Sequence, residues 1–219
     1  MWSLTYLFAN ICGQAVISVL GYTNADVVPT WVLALSALTL WGPYIGVLLW
    51  VSKRNGSGNF AHDFSLRFHM KDLWGIPLGM ASQLLLVVLV TLPFQWMFPS
   101  LFNQEAVEKR ANDLFDAAQG SWIVLLVFVV LICAPLVEEI VYRAFIQHSL
   151  AVAYGARVSI LLASFWFAAV HLQVAEFPGL FAFAIVLGLC FSRTKRLGLS
   201  IVTHMSFNAT ALTVMALTR

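Results

Sequence analysis

The chain has 219 residues, 61% of them hydrophobic and only 10% charged, with a formal net charge of +2. A soluble domain carries roughly 25% charged residues, so this composition excludes an ordinary water-soluble fold. The small net charge argues against nucleic acid as a partner. The three cysteines, Cys12, Cys133 and Cys190, lie far apart in apolar runs without a Cys-x-x-Cys pair. That excludes a disulfide framework and a thiolate zinc site and leaves them as packing residues.

What remains is an all-α, polytopic transmembrane helix bundle forming a single membrane domain. A bilayer core of about 30 Å needs about 20 apolar residues per helix. Seven candidate spans follow in chain order: residues 2–21, 28–51, 73–98, 122–147, 158–173, 179–192 and 199–217. The first has no basic leader or small-residue cleavage site and reads as a retained helix. The fifth and sixth are short, as helices packed among longer neighbours can be.

Loop charge alternates along the chain. Lys53, Arg54, Arg67 and Lys71 follow the second span, Arg157 precedes the fifth, and Arg193, Lys195 and Arg196 precede the seventh. The intervening loops carry Asp26, then Glu105, Glu108, Asp113 and Asp116, then Glu176. Only Lys109, Arg110 and Arg219 break the pattern. The positive-inside rule then gives a cytoplasmic N-terminus and an external C-terminus. Two stretches are not spans. After the flexible turn at 54–59, residues 60–72 alternate Phe64, Leu66, Phe68 and Met70 with polar residues, which predicts a non-helical interfacial segment. Residues 102–118 predict an external amphipathic helix.

The chemistry concentrates in residues 134–147, Ala-Pro-Leu-Val-Glu-Glu-Ile-Val-Tyr-Arg-Ala-Phe-Ile-Gln. Ionisable residues inside a span are costly and need partners. Glu139 and Arg143 stand four apart on one helical face and can pair. Glu138 lies about 100° around the helix, and its own i+4 neighbour is Tyr142, which cannot neutralise it. Pro135 removes a hydrogen bond to the Leu131 carbonyl and predicts a kink, a defect tolerated beside protein or water rather than lipid.

Polar partners occur in two other spans. His171 stands in Phe167-Ala-Ala-Val-His171, and His204 and Asn208 share a face in His204-Met-Ser-Phe-Asn208. His148 reads as interfacial, and His62 and His69 as loop residues. Taken singly, each site residue has a plain structural reading: a buried ion pair, or a histidine joining two helices.

The three motifs, Glu138-Glu139-x-x-x-Arg143, Phe167-x-x-x-His171 and His204-x-x-x-Asn208, stand in separate spans and in this order. Together they resemble the CAAX-protease and bacteriocin-processing family, intramembrane endopeptidases related to the type II CAAX prenyl endopeptidase. The resemblance covers roughly residue 122 to the C-terminus. It implies catalytic core spans over 121–219, with residues 1–120 as the variable part. It also implies cleavage of a C-terminal or membrane-proximal peptide bond in a membrane protein or peptide, prenylated or bacteriocin-like.

Peptide hydrolysis needs an activated water and a stabilised oxyanion. The residues alone make Glu138 the best general base. His171 would orient the water and protonate the leaving amine, and His204 with Asn208 would bind the oxyanion. The resemblance implies the same roles, with Glu139 and Arg143 as support. A second version binds zinc through Glu138, His171 and His204; the family is commonly called metalloproteases, but no His-Glu-x-x-His is present. The expectation is a metal-independent mechanism in a multi-pass plasma-membrane protein whose site opens toward the cytoplasm. Alternatives from other classes are a non-catalytic scaffold or immunity protein, and a proton-coupled transporter with Glu138 as carrier.

Overall fold

The computed structural model describes residues 2–22, 28–102, 112–113, 118 and 120–218. The described chain is helical, with no strand among these residues. Its helices are α1 (Trp2–Val19), α2 (Thr30–Asn55), α3 (Met70–Met97), α4 (122–154), α5 (156–170), α6 (Phe177–Thr194) and α7 (Gly198–Thr218). Five helical runs among the described residues are long and apolar enough to cross a membrane. One of them, Trp122–Val170, holds both α4 and α5. The apolar part of α1, Thr5–Val19, is shorter. The amphipathic segment expected at 102–118 lies almost wholly outside the described residues.

Two features of α4 differ from the sequence reading, each for a local reason. Helix α4 continues past Gln147 to Tyr154, and the chain then turns at Gly155, whose φ of 79° and ψ of 168° are not helical. A residue with a Cβ is strained at positive φ, so Gly155 marks where one apolar run becomes two helices. At Pro135 the helix does not break. The preceding turn, Val129–Cys133, is π-helical, and the Ala134 N–H reaches back five residues to the Val129 carbonyl. This widening is the form the proline's missing hydrogen bond takes.

The chain divides into two compact units, with the division falling inside α4. The first holds Met1–Asp63 and Arg110–Val137. Here α1 packs on α2 where Gly13 allows close approach, and the Ser36 hydroxyl donates to the Gly13 carbonyl at 2.9 Å. Ala9, Val32 and Leu48 are fully buried. Helix α2 ends at Asn55, where the Gly56 amide caps it by donating to the Ser52 carbonyl. The Asp63 carboxylate there accepts from the Ser52 hydroxyl at 2.6 Å, the Ser57 hydroxyl at 2.7 Å and the Ser57 amide at 3.0 Å.

The second unit holds Phe64–Lys109 and Glu138–Arg219. Thus α3, grouped by sequence with the variable spans, packs with the helices that carry the motifs. Its glycines explain this. A Cβ on Gly75 would meet the Thr203 amide at 2.7 Å, and one on Gly79 would strike the Thr203 carbonyl and the Phe207 amide of α7. Gly75-x-x-x-Gly79 is therefore a small-residue seam that lets two backbones touch. The Ser206 hydroxyl closes it by donating to the Ile76 carbonyl at 2.8 Å. Phe183 of α6 stacks on Phe207 of α7 with ring centroids 3.7 Å apart, and Leu187 and Val87 complete this cluster.

Of residues 60–72, expected to be non-helical, only 64–69 are so: Phe60–Asp63 forms one helical turn, started by the Asn59 side chain accepting from the His62 amide at 3.1 Å, and residues 70–72 already belong to α3. The backbone of 64–69 is tied to the α6–α7 turn: the Leu197 and Gly198 amides donate to the carbonyls of Ser65 at 3.0 Å and Arg67 at 3.2 Å. Asp72, buried, pairs with Arg196.

Two predictions follow from this packing. Gly79→Val should destabilise the purified protein by about 1–3 kcal/mol through overpacking, read as a lower thermal midpoint in detergent. Gly46→Ala, whose added Cβ meets nothing within 4 Å, should leave that midpoint unchanged. The hydrogen bonds from Ser52 and Ser57 hold the Asp63 carboxyl well below the usual carboxylate range. A depressed folded value means a contribution fully present above the unfolded value near 3.9 and lost as pH falls toward the folded one. Hydrogen exchange, corrected for intrinsic rate, should show the Ser57 amide protected at neutral pH and progressively less so below about pH 4. Asp63→Asn should weaken that protection at neutral pH.

Candidate active site

The seven motif residues all lie in the second unit, on α4, on α5 and at its end, and on α7. Glu139 and Arg143 stand one turn apart where α4 passes from α-helix into the π-helical segment Ile140–Gln147. Such widened turns are frequent at functional sites. The pairing expected from their spacing is present: Arg143 Nε lies 3.4 Å from Glu139 Oε2, and both side chains are fully buried. The guanidinium carbon also lies 5.4 Å from the Phe167 ring centroid. A buried ion pair is tolerable only with its charge balanced, and the ring face adds a cation–π attraction.

The second partner of Glu139 was not legible in the sequence. His204 Nδ1 lies 3.0 Å from Glu139 Oε1. An ionised carboxylate only accepts, so Nδ1 carries the hydrogen. That leaves His204 Nε2 directed to Glu138, 3.8 Å from its Oε2. This is too long for a hydrogen bond, though such contacts commonly tighten around substrate. One imidazole therefore stands between two adjacent carboxylates of different character. The Glu139 side chain is 0% exposed and that of Glu138 is 24% exposed.

His171 is the residue that ends α5. Its Nδ1 lies 2.7 Å from the Phe167 carbonyl. A carbonyl only accepts, so Nδ1 is the protonated nitrogen and Nε2 keeps a lone pair in the neutral ring. The ring is half-buried. Asn208 is half-buried one turn beyond His204 on α7.

Phe167 joins these groups. Its ring centroid lies 4.8 Å from that of His171, 5.8 Å from His204 and 5.2 Å from Tyr142. Phe183 closes the other side of His204, edge-on at 5.5 Å. Sequence reading used Phe167 only as a motif letter. The residues it missed are Tyr142, Phe183, and Gln147, whose amide donates to the Gly188 carbonyl at 3.0 Å. The signal that could have placed α3 beside α7 was Gly75-x-x-x-Gly79 in an apolar run.

Beside His171 lies an apolar groove of about 670 Å³, walled by Phe94 of α3, Ala168 of α5, Leu172, and Phe177, Phe181 and Ile185 of α6. Among the described residues no three His, Cys, Asp or Glu side chains are grouped so as to hold a metal ion. Glu138, His171 and His204 thus do not fit zinc as arranged here.

Removing one partner of a buried pair leaves an uncompensated charge, at about 3–5 kcal/mol. Glu139→Ala should lower the unfolding midpoint of the purified protein accordingly. Glu139→Gln combined with Arg143→Met should recover much of that loss. A double variant as unstable as Glu139→Ala would show that charge balance is not what Glu139 supplies.

Residues 120–210 match the family model described as type II CAAX prenyl endopeptidase Rce1-like. No curated protein and no solved structure matches the chain. The matched segment contains all seven motif residues, so this part of the chain is similar to the type II CAAX prenyl endopeptidases.

Proposed function

We propose that the protein is an intramembrane endopeptidase that hydrolyses a peptide bond near the C-terminus, or near the membrane-associated part, of its substrate. One observation carries the reading: a buried carboxylate, Glu139, holds His204 so that its free nitrogen faces an accessible carboxylate, Glu138. A purely structural pair needs only Glu139 and Arg143. The second, partly exposed carboxylate is unnecessary for packing.

In this mechanism Glu138 takes a proton from water, and the resulting hydroxide adds to the substrate carbonyl carbon. The carbonyl oxygen becomes an oxyanion, which accepts hydrogen bonds from His204 and the Asn208 amide. Donation from His204 Nε2 requires the doubly protonated ring, because Nδ1–H is engaged by Glu139. The intermediate collapses as the carbon–nitrogen bond breaks. The proton held by Glu138 reaches the leaving nitrogen by way of His171 Nε2, while Nδ1–H anchors that ring to the Phe167 carbonyl. The apolar groove beside His171 receives the apolar part of the substrate. The run of Arg193, Lys195 and Arg196 before α7 favours a site opening toward the cytoplasm, with the N-terminus on the same side, in the plasma membrane.

General acid–base groups contribute about 10²–10⁴-fold and single oxyanion donors about 10²–10³-fold. Glu138→Gln and His171→Ala should each reduce cleavage of an internally quenched, prenylated CAAX-type peptide by at least about a hundredfold. Asn208→Ala should lower kcat more than it changes KM. Wild-type unfolding midpoints would separate these losses from misfolding. Cleavage by folded Glu138→Gln at the wild-type rate would remove the assignment. Loss of function only in proportion to folded protein would instead indicate a scaffold.

A further inference from the structure

We propose that the segment running into α3, together with the α6–α7 turn, forms a docking surface for anionic phospholipid headgroups. Residues 64–76 and 190–200 contain five cations, Arg67, Lys71, Arg193, Lys195 and Arg196, but only one carboxylate, Asp72. That carboxylate is buried and already paired with Arg196. Arg67, Lys71, Arg193 and Lys195 are exposed, so their charge is unopposed within these two stretches.

The two stretches form one surface. The Leu197 and Gly198 amides donate to the carbonyls of Ser65 and Arg67, and Asp72 reaches Arg196. Gly198 is required at this junction, since a Cβ there would strike the Asp72 carboxylate and the Arg67 carbonyl. The backbone of Arg67 is thereby joined to Gly198, three residues after Lys195, which sits in a left-handed turn at the end of α6. His69 Nδ1 accepts from the Lys71 amide at 3.1 Å, which orders the first turn of α3.

The apolar residues between these cations decide the partner. Phe68, Met70 and Trp74 are 59%, 76% and 74% exposed. An acidic soluble protein would meet the cations but leave these side chains in water. A leaflet of anionic lipid satisfies both: phosphates meet Arg67, Lys71 and Lys195 while Phe68, Met70 and Trp74 enter the acyl boundary. The surface lies where α3 begins, so it faces the bilayer edge without further folding. It also holds the start of α7, six residues before His204, and a bound headgroup would fix that end of the helix.

Each basic side chain near an anionic surface is worth about fivefold in binding. Full-length protein would be equilibrated with mixed phosphatidylglycerol and phosphatidylcholine micelles, and retained lipid counted by native mass spectrometry. Wild type should retain phosphatidylglycerol preferentially. R67Q/K71Q/K195Q should lose that preference by about a hundredfold, the product of three such factors. R67K/K71R/K195R, which keeps the charges, should retain it, as should K53Q/R54Q, which alters basic residues outside this surface. Should the triple glutamine variant unfold, K71Q/K195Q should still show a loss of about twenty-fivefold. Wild-type preference in either glutamine variant would overturn the proposal. So would displacement of the lipid by an equal concentration of inorganic phosphate, which would identify a soluble-anion site.

Discussion

Glu139 is a carboxylate without access to solvent in a chain built for lipid. Such a group persists only where its charge and lone pairs are met within the protein. Arg143 meets the charge from the same helix, and His204 meets a lone pair from α7. Much of the second unit can be read as the means of holding that second contact. The α3 glycines admit the α7 backbone closely enough to fix its position, Phe183 and Phe207 stack behind it, and the Asp72–Arg196 pair pins the turn from which it starts. Phe167 lies against the Arg143 guanidinium and the His204 ring, so aromatic surface covers the charged groups on that side.

Glu138 and Glu139 are adjacent in the chain, and that offset of one position produces two carboxylates with different tasks. Rotation about the helix turns Glu138 toward the accessible side and leaves Glu139 in the interior. The imidazole between them transmits the difference: its Nδ1 is committed to the buried carboxylate, and its Nε2 is presented where Glu138 is accessible. His171 follows the same economy. One ring nitrogen is spent on a backbone carbonyl of its own helix, and the other is left for chemistry. In both histidines a hydrogen bond selects the tautomer, and through it the atom that can act.

Much of this was legible in the residues, and what was not has physical reasons. The helical segments follow from apolar length. The Glu139–Arg143 pair follows from i, i+4 geometry, which depends only on local structure. The partnership of Glu139 with His204 spans 65 residues and depends on how α7 is seated, which no local spacing encodes. Hence His204 reads in sequence as a partner for Glu138, while its closer contact is Glu139. Pro135 announces a helix defect, but whether the helix bends or widens depends on which carbonyl the Ala134 amide finds. Gly155 is unremarkable as a letter and decisive as a backbone angle. The stretch 60–72 reads as non-helical, which holds only for 64–69, and the ties of that part to Leu197 and Gly198 appear only in three dimensions.

The central claim is that Glu139 fixes His204 with the hydrogen on Nδ1. Nitrogen NMR of the purified protein carrying isotope-labelled histidine, with the His204 signals assigned by their loss in His204→Asn, tests this directly. The account predicts a protonated Nδ1 in the wild type and a changed Nδ1 signal in Glu139→Gln, with the His171 signals unmoved. An unprotonated Nδ1 on His204 in the wild type, or a spectrum indifferent to Glu139→Gln, would contradict it.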